Sequence, residues 1–222
     1  MKVMMLAAGR GERMGNLTEA CPKPLLKVAG RCLIEHHILV LKNQGFSEFV
    51  INVAYLGEQI MVALGDGKRF GVQIDYSDEG AQALETGGGI QHALPLLGKA
   101  PFLVVNADIW TDISYADLNI KANNSMHLVL VKNPEHNPAG DFYLDEDQIV
   151  QNGGERFTYS GVGVFTPAIF SQQTAAIFPL APLIHDAISR GEVGGRLHSG
   201  VWVDVGTPQR LADVEAIINA SQ

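Results

Sequence analysis

The stretch Val3-Met-Met-Leu-Ala-Ala-Gly-Arg-Gly-Glu-Arg-Met14 decides how the rest of the chain is read. Val3 to Ala7 is short, apolar and followed by a glycine loop, the pattern of a buried strand. The loop, Ala8 to Arg13, is built of small residues and carries two arginines. Small residues let a phosphate approach the backbone, and successive free N–H groups form a nest for an anion. Arginine adds a planar charged fork that matches phosphate oxygens. A tight strand-to-helix turn without a ligand has the same local pattern, so the loop alone does not decide the function.

Outward from this stretch, strand-like and helix-like segments alternate. Leu33 to Leu41 has helical spacing and Gly45 is a stop; Phe49 to Val53 is a strand. Gln59 to Leu64 is a short helix, Val72 to Tyr76 a strand, Ile90 to Leu97 a helix opened by three glycines, and Phe102 to Val105 a strand. This rhythm predicts βαβ units and a parallel sheet, with ligands at the C-terminal edge of its strands. The second half is less regular. Leu128 to Val131 and Phe157 to Phe165 read as strands, and Phe142 to Leu144 with Gln148 to Val150 as a hairpin. Leu183 to Ser189 reads as a helix, Trp202 to Val205 as a strand, and Pro208 to about Asn219 as a closing helix. Ala220-Ser-Gln222 is expected to trail off.

The composition, 46% hydrophobic and 18% charged, is that of a globular chain, and 222 residues suffice for one domain with a real core. A net charge of -8 argues against a nucleic-acid partner. The first 31 residues nevertheless hold six bases (Lys2, Arg10, Arg13, Lys23, Lys27, Arg31) against two acids. A small positive zone on an acidic protein suits a compact anionic ligand. Cys21 and Cys32 give neither a disulfide framework nor a zinc cluster, which predicts reduced thiols and a cytoplasmic protein. No apolar run approaches membrane length. The seven histidines lack zinc-site spacing and read as structural or surface residues. A nucleophile elbow and a Walker A motif are both absent.

Three further motifs carry chemistry. Pro22-Lys23-Pro24-Leu25 holds one lysine between two prolines and so pre-organises a point charge. Asp108 follows the apolar run Phe102 to Ala107, and Asp204 lies in Trp202-Val-Asp-Val-Gly-Thr207. Two carboxylates at strand ends suit one Mg²⁺, which prefers oxygen ligands and keeps phosphates in its shell. Leu84-Glu-Thr-Gly-Gly-Gly-Ile90 offers close backbone approach and a helix N-terminus. Gly9, Gly11 and Gly15 also resemble a dinucleotide-binding fingerprint. That reading needs a helix directly afterwards, and Pro22 and Pro24 stand in the way.

The order Leu-Ala-Ala-Gly-x-Gly-x-Arg-Met, Leu17-Thr18, Pro-Lys-Pro-Leu, Asn106-Ala-Asp108 and Trp-Val-Asp-Val-Gly-Thr resembles the signature of sugar-1-phosphate nucleotidyltransferases. It spans residues 6 to 207. The resemblance implies an α/β fold: a Rossmann-like, open, mostly parallel sheet with helices on both faces, like other nucleotidyltransferase GT-A-like chains. Residues 1–222 would form one domain, about 1–110 a nucleotide-binding half and about 111–222 a sugar-binding half.

It further implies Mg²⁺ as cofactor and a nucleoside triphosphate and a sugar 1-phosphate as partners, in a monomer or small homo-oligomer. Within the family, the short chain, Glu-Thr-Gly-Gly-Gly-Ile and Gly140-Asp-Phe142 look closest to the N-acetylmuramate α-1-phosphate uridylyltransferases, hence UTP and peptidoglycan recycling. Mannose-1-phosphate guanylyltransferases share the glycine triplet and are the alternative. A nucleotide sensor without catalysis is the alternative of another class. Carried over, the catalytic residues are Arg13, Lys23, Asp108 and Asp204. The nucleotide set is Ala7, Ala8, Gly9, Gly11, Glu12, Arg13, Lys23, Gly80, Glu85, Thr86 and Gly87. The sugar set is Asn106, Gly140, Glu155 and Asp204, and the metal set Asp108 and Asp204. Two departures stand out. Gly15-Asn16 replaces the family's usual Arg-Pro, which is expected to loosen the loop, and Ala107 replaces a glycine, whose added methyl is expected to crowd the ligand side.

Overall fold

A computed structural model describes residues 1–220. In chain order the elements are β1 (Val3–Leu6), β2 (Lys27–Val28), β3 (Arg31–Cys32), α1 (Leu33–Asn43), β4 (Glu48–Val53), α2 (Gly57–Leu64), β5 (Gln73–Asp78), α3 (Glu85–Leu97), β6 (Phe102–Asn106) and β7 (Ile109–Thr111). They continue with β8 (Met126–Val131), β9 (Phe142–Asp145), β10 (Gln148–Val150), β11 (Glu155–Phe165), α4 (Ala181–Ser189), β12 (Val193–His198), β13 (Trp202–Asp204) and α5 (Pro208–Ala220). Ala220 is thus helical, and Ser221 and Gln222 lie outside the described residues.

One nine-stranded sheet runs in the order β5-β4-β1-β6-β11-β8-β12-β10-β9. The α/β class follows the sequence expectation. Parallel pairing is confined to β5-β4-β1-β6 and to β8 with β12; the remaining pairs are antiparallel, so the sheet is mixed. β9 also pairs with the start of β11, so the last five strands return onto themselves.

Alternation along the strands builds two cores. Val3 and Met5 of β1 face a layer containing Ile34, Ile38 and Leu41 of α1 and Ile60 and Leu64 of α2. Met4, between them, faces Ile90 and Leu97 of α3 and Ile184 and Ile188 of α4. Successive side chains of a strand point to opposite faces, so a strand covered on both sides reads as one apolar run. α1 starts where Glu35 accepts the Cys32 N–H at 3.1 Å, a capping box, and its apolar residues repeat at i, i+4 and i+7.

The glycine triplet lies inside α3 rather than ahead of it. Glycine in a helix interior costs about 1 kcal/mol. Here it permits close packing. A Cβ on Gly87 would stand 2.4 Å from Phe178 Cε2, one on Gly88 2.3 Å from the Ala176 carbonyl oxygen, and one on Gly89 2.5 Å from Glu79 Oε1. The Gly88 N–H donates to the Phe178 carbonyl at 3.1 Å and so is not free for a ligand. The triplet thus lets the 176–178 segment lie on α3.

β1 lies between β4 and β6, and its chain leaves towards β4 while β6 is reached from the other side. The loops after β1 and β6 therefore open at a topological switch point, where open α/β sheets bind ligands.

Candidate active site

A cleft of about 520 Å³ opens at that point. Its wall contains Ala7, Ala8, Gly9, Gly11, Glu12 and Arg13 from the loop after β1, Lys23, Glu85 and Thr86 at the start of α3, and Asn106 at the end of β6 with Asp108 just beyond it. Four segments far apart in sequence are brought together as the motifs led one to expect. A second cleft of about 470 Å³ adjoins it, since Leu6, Thr86 and Asn106 line both. Gly140 lines the second cleft. Gly80 is exposed and caps the Asp78 carboxylate, Gly87 is buried under Phe178, and Glu155 is exposed; these three and Asp204 line neither cleft.

The arginine loop is aimed by what lies beneath it. Met14, 2% exposed, packs with Leu26, Val205 and Val214 in a third core cluster under α5. Burial of Met14 leaves its neighbour Arg13 at the cleft. The loop is not slack at Gly15-Asn16. Gly15 adopts φ 57°, ψ -136°, a region open to glycine and strained for any other residue. Thr18 Oγ1 ties the turn, 3.0 Å from the Gly11 carbonyl and 3.2 Å from that of Gly15. An arginine at position 15 would be strained on this path, and the glycine here shapes the loop. Ala107 is fully buried in the core, so its methyl points away from the ligand side.

Lys23 is 5% exposed, and its Nζ donates to Asp108 Oδ2 at 2.7 Å. Few lysines are buried unless paired, and the pairing explains this one. Asp204 is delivered beside it by β13, which pairs antiparallel with β7 so that Asp204 stands opposite Ile109; the Val205 N–H donates to the Asp108 carbonyl at 2.9 Å. The Asp204 carboxylate collects three basic side chains: Arg210 Nη1 at 2.9 Å, His136 Nε2 at 3.5 Å and Arg13 Nη2 at 3.6 Å. Arg13 and Lys23 therefore each rest on one of the two aspartates. Both aspartates are hard oxygen donors on adjoining chain segments, a set that suits a divalent cation sharing its shell with phosphates. Among the described residues no group of three or more His, Cys, Asp or Glu forms a protein-only metal cage.

Several contributors carry no motif. Asn52 Oδ1 accepts the Ala7 N–H at 2.7 Å, its Nδ2 donates to Glu79 Oε1 at 2.6 Å, and Glu79 Oε2 accepts the Leu84 N–H at 2.7 Å. This relay ties the first residue of the glycine loop to the entry of α3. Asn52 is a polar residue near the end of an otherwise apolar strand, at the ligand edge, and that position is the one signal it offers. His37, buried on α1, donates Nε2–H to the Ile109 carbonyl at 2.7 Å, which holds the segment after Asp108.

Burial pushes the His37 pKa down from 6.5 to about 4. Between those values the unfolded chain binds a proton that the folded chain excludes, so stability is lost as pH falls through that window. Urea unfolding at about pH 7.5 and about pH 5 is expected to show a share of roughly 2 kcal/mol from this ring. His37→Gln should remove that share of the slope, and an unchanged slope in the variant would contradict the assignment.

An α/β sheet with an anion-ready glycine loop, a buried lysine and a strand-end aspartate at its switch point, and a second aspartate on the adjoining β13, defines a class that handles nucleotides and phosphates. The chain belongs to the nucleotidyl transferase family, whose family model matches residues 2–156. It is 50% identical to the N-acetylmuramate alpha-1-phosphate uridylyltransferase of Neisseria meningitidis serogroup B, over 99% of each chain. It is 36% identical to the enzyme of the same name from Caulobacter vibrioides, over 96% of this chain and 95% of the relative. The fold is shared with the inositol-1-phosphate CTP transferase of T. maritima at a TM-score of 0.76 and 18% identity, over 98% of this chain and 94% of the other. Among the described residues no helix is long and apolar enough to cross a membrane.

Proposed function

We propose that this enzyme transfers UMP from UTP to N-acetylmuramate α-1-phosphate, giving the UDP-sugar and pyrophosphate. The observation that carries the reading is the pair of buried Lys23 with Asp108, two positions from Asn106, which with Leu6 and Thr86 lines both clefts. A triphosphate in the first cleft and a sugar phosphate in the second would meet at that pair. The names of the two full-length relatives support the choice of base and sugar.

The reaction is attack by a sugar-phosphate oxygen on the α-phosphorus. That P–O bond forms as the bond to the β-phosphate oxygen breaks, and pyrophosphate leaves with the electron pair. Such transfers need positioning and charge neutralisation more than covalent help. The loop after β1 and Gly11 cradle the triphosphate, and Glu85 and Thr86 face the nucleoside. Arg13 neutralises the leaving group, and Lys23 sits between the α-phosphate and the incoming sugar phosphate. Asp108 and Asp204 would hold Mg²⁺, which when bound supplies charge neutralisation at the phosphates. Lys23 and Arg13, which pair with these two aspartates, would be free to turn to the same phosphates if the carboxylates held the cation. Asn106 and Gly140 contact the sugar. The product is the form in which a peptidoglycan sugar re-enters wall synthesis.

Pyrophosphate release from a grid of triphosphates and sugar 1-phosphates tests this. The UTP and N-acetylmuramate pair is expected to dominate. Dominance of GTP with mannose 1-phosphate would keep the chemistry and overturn the substrates.

A further inference from the structure

The second cleft contains a guanidinium and a carboxylate, those of Arg156 and Asp141, that are not ion-paired with each other. Arg156, on β11, is half-buried and lines the cleft. Its Nη2 donates to the Asp141 carbonyl at 2.9 Å, its guanidinium carbon stands 5.2 Å from the Tyr143 ring centroid, and its Nε is buried with no hydrogen-bond partner. Among the described residues no carboxylate forms an ion pair with it, although Asp141 is near. That carboxylate is committed elsewhere, accepting from Asn137 Nδ2 at 2.9 Å and from the Tyr159 N–H at 2.7 Å.

A guanidinium does not give up its proton at neutral pH, so its charge is permanent. Removing such a charge from water without a counter-charge is unfavourable, and an unfilled donor adds to the cost. The rest of the wall is mixed: Phe142, Pro179, Leu180 and Ile184 supply apolar surface beside Tyr159, and Asp141, His185, Asn106 and Thr86 supply polar groups. The cleft therefore fits a ligand that joins a carbon skeleton to an anionic group, and that group is distinct from the phosphate bound at the Lys23 end.

We propose that Arg156 is a specificity-determining residue that pairs with a carboxylate borne by the sugar, here the carboxylate of the lactyl ether of N-acetylmuramate. N-Acetylglucosamine 1-phosphate lacks that group and leaves the guanidinium unpaired. The proposal rests on the second cleft being the sugar site.

The test compares kcat/KM for N-acetylmuramate α-1-phosphate and N-acetylglucosamine α-1-phosphate in the wild type, Arg156→Gln and Arg156→Lys. A hydrogen-bonded charge pair is worth enough that its loss lowers the ratio of the two values about 10- to 100-fold in Arg156→Gln. Arg156→Lys keeps a point charge without the fork and should fall between. A role limited to packing on Tyr143 would lower both values together, so a ratio unchanged in Arg156→Gln overturns the proposal whether or not activity falls. A wild type without preference for the carboxylate-bearing sugar defeats the substrate reading itself, and with it this proposal.

Discussion

Replacing Asp108 by asparagine is expected to lower the rate of nucleotidyl transfer by about 10²- to 10³-fold, the usual cost of removing one preorganised electrostatic contact from a transition state. Asparagine is isosteric, and its side-chain oxygen can still accept the Lys23 Nζ hydrogen bond now at 2.7 Å. The change removes a charge and little else. Asp108 also sits at a strand end with its side chain 37% exposed, so the core beneath it, from Phe102 to Val105, is untouched. The loss should therefore fall on turnover while circular dichroism and the unfolding midpoint stay near those of the wild type. Single-turnover kinetics at saturating Mg²⁺ separate chemistry from product release. A wild-type rate in Asp108→Asn would remove this residue from the mechanism.

Lys23→Met is expected to cost about as much, roughly 10²- to 10³-fold in kcat/KM. Methionine fills most of the buried space of the lysine stem, so what is lost is the ammonium. Pro22 and Pro24 fix the chain on either side, and the Leu26 N–H donates to the Lys23 carbonyl at 3.0 Å, so the backbone should hold its place. The Asp108 carboxylate then faces the cleft without its partner. Breaking a fully buried pair costs about 3–5 kcal/mol, and the partial exposure of Asp108 puts the cost here below that range. Because the two side chains touch, their effects should not add. The double variant is expected to be about as slow as either single one, as for residues that act as a unit. Losses that multiply would assign Lys23 and Asp108 to separate tasks.

The strands of the first half were legible because they are covered on both faces. Val3 to Leu6, Phe49 to Val53 and Phe102 to Val105 each read as one apolar run, and each is buried between two helix layers. β12 was not legible. Its Gly194 and Gly195 look like a loop, yet a Cβ on Gly195 would stand 2.7 Å from Ile149, so the close strand contact demands the glycine. The β2–β3 hairpin hid in the same way, turning on Ala29 and Gly30, both at positive φ.

At the site, ordered motifs revealed what lies on the loops after β1 and β6. Contacts that join distant loops left no such trace. The Asn52–Glu79 relay spans 27 residues, and His136 approaches Asp204 from a separate loop. Arg156 lies in no motif, and it reaches the second cleft through contacts with Asp141 and Tyr143 that the sequence does not display.

Phosphorus NMR of wild-type protein with UTP, N-acetylmuramate α-1-phosphate and Mg²⁺ tests the central claim most directly. The sugar monophosphate resonance should give way to the two coupled resonances of a sugar diphosphate, with pyrophosphate appearing in equal amount. Appearance of UDP and inorganic phosphate, or bound UTP with an unchanged sugar phosphate resonance, would contradict nucleotidyl transfer to that sugar.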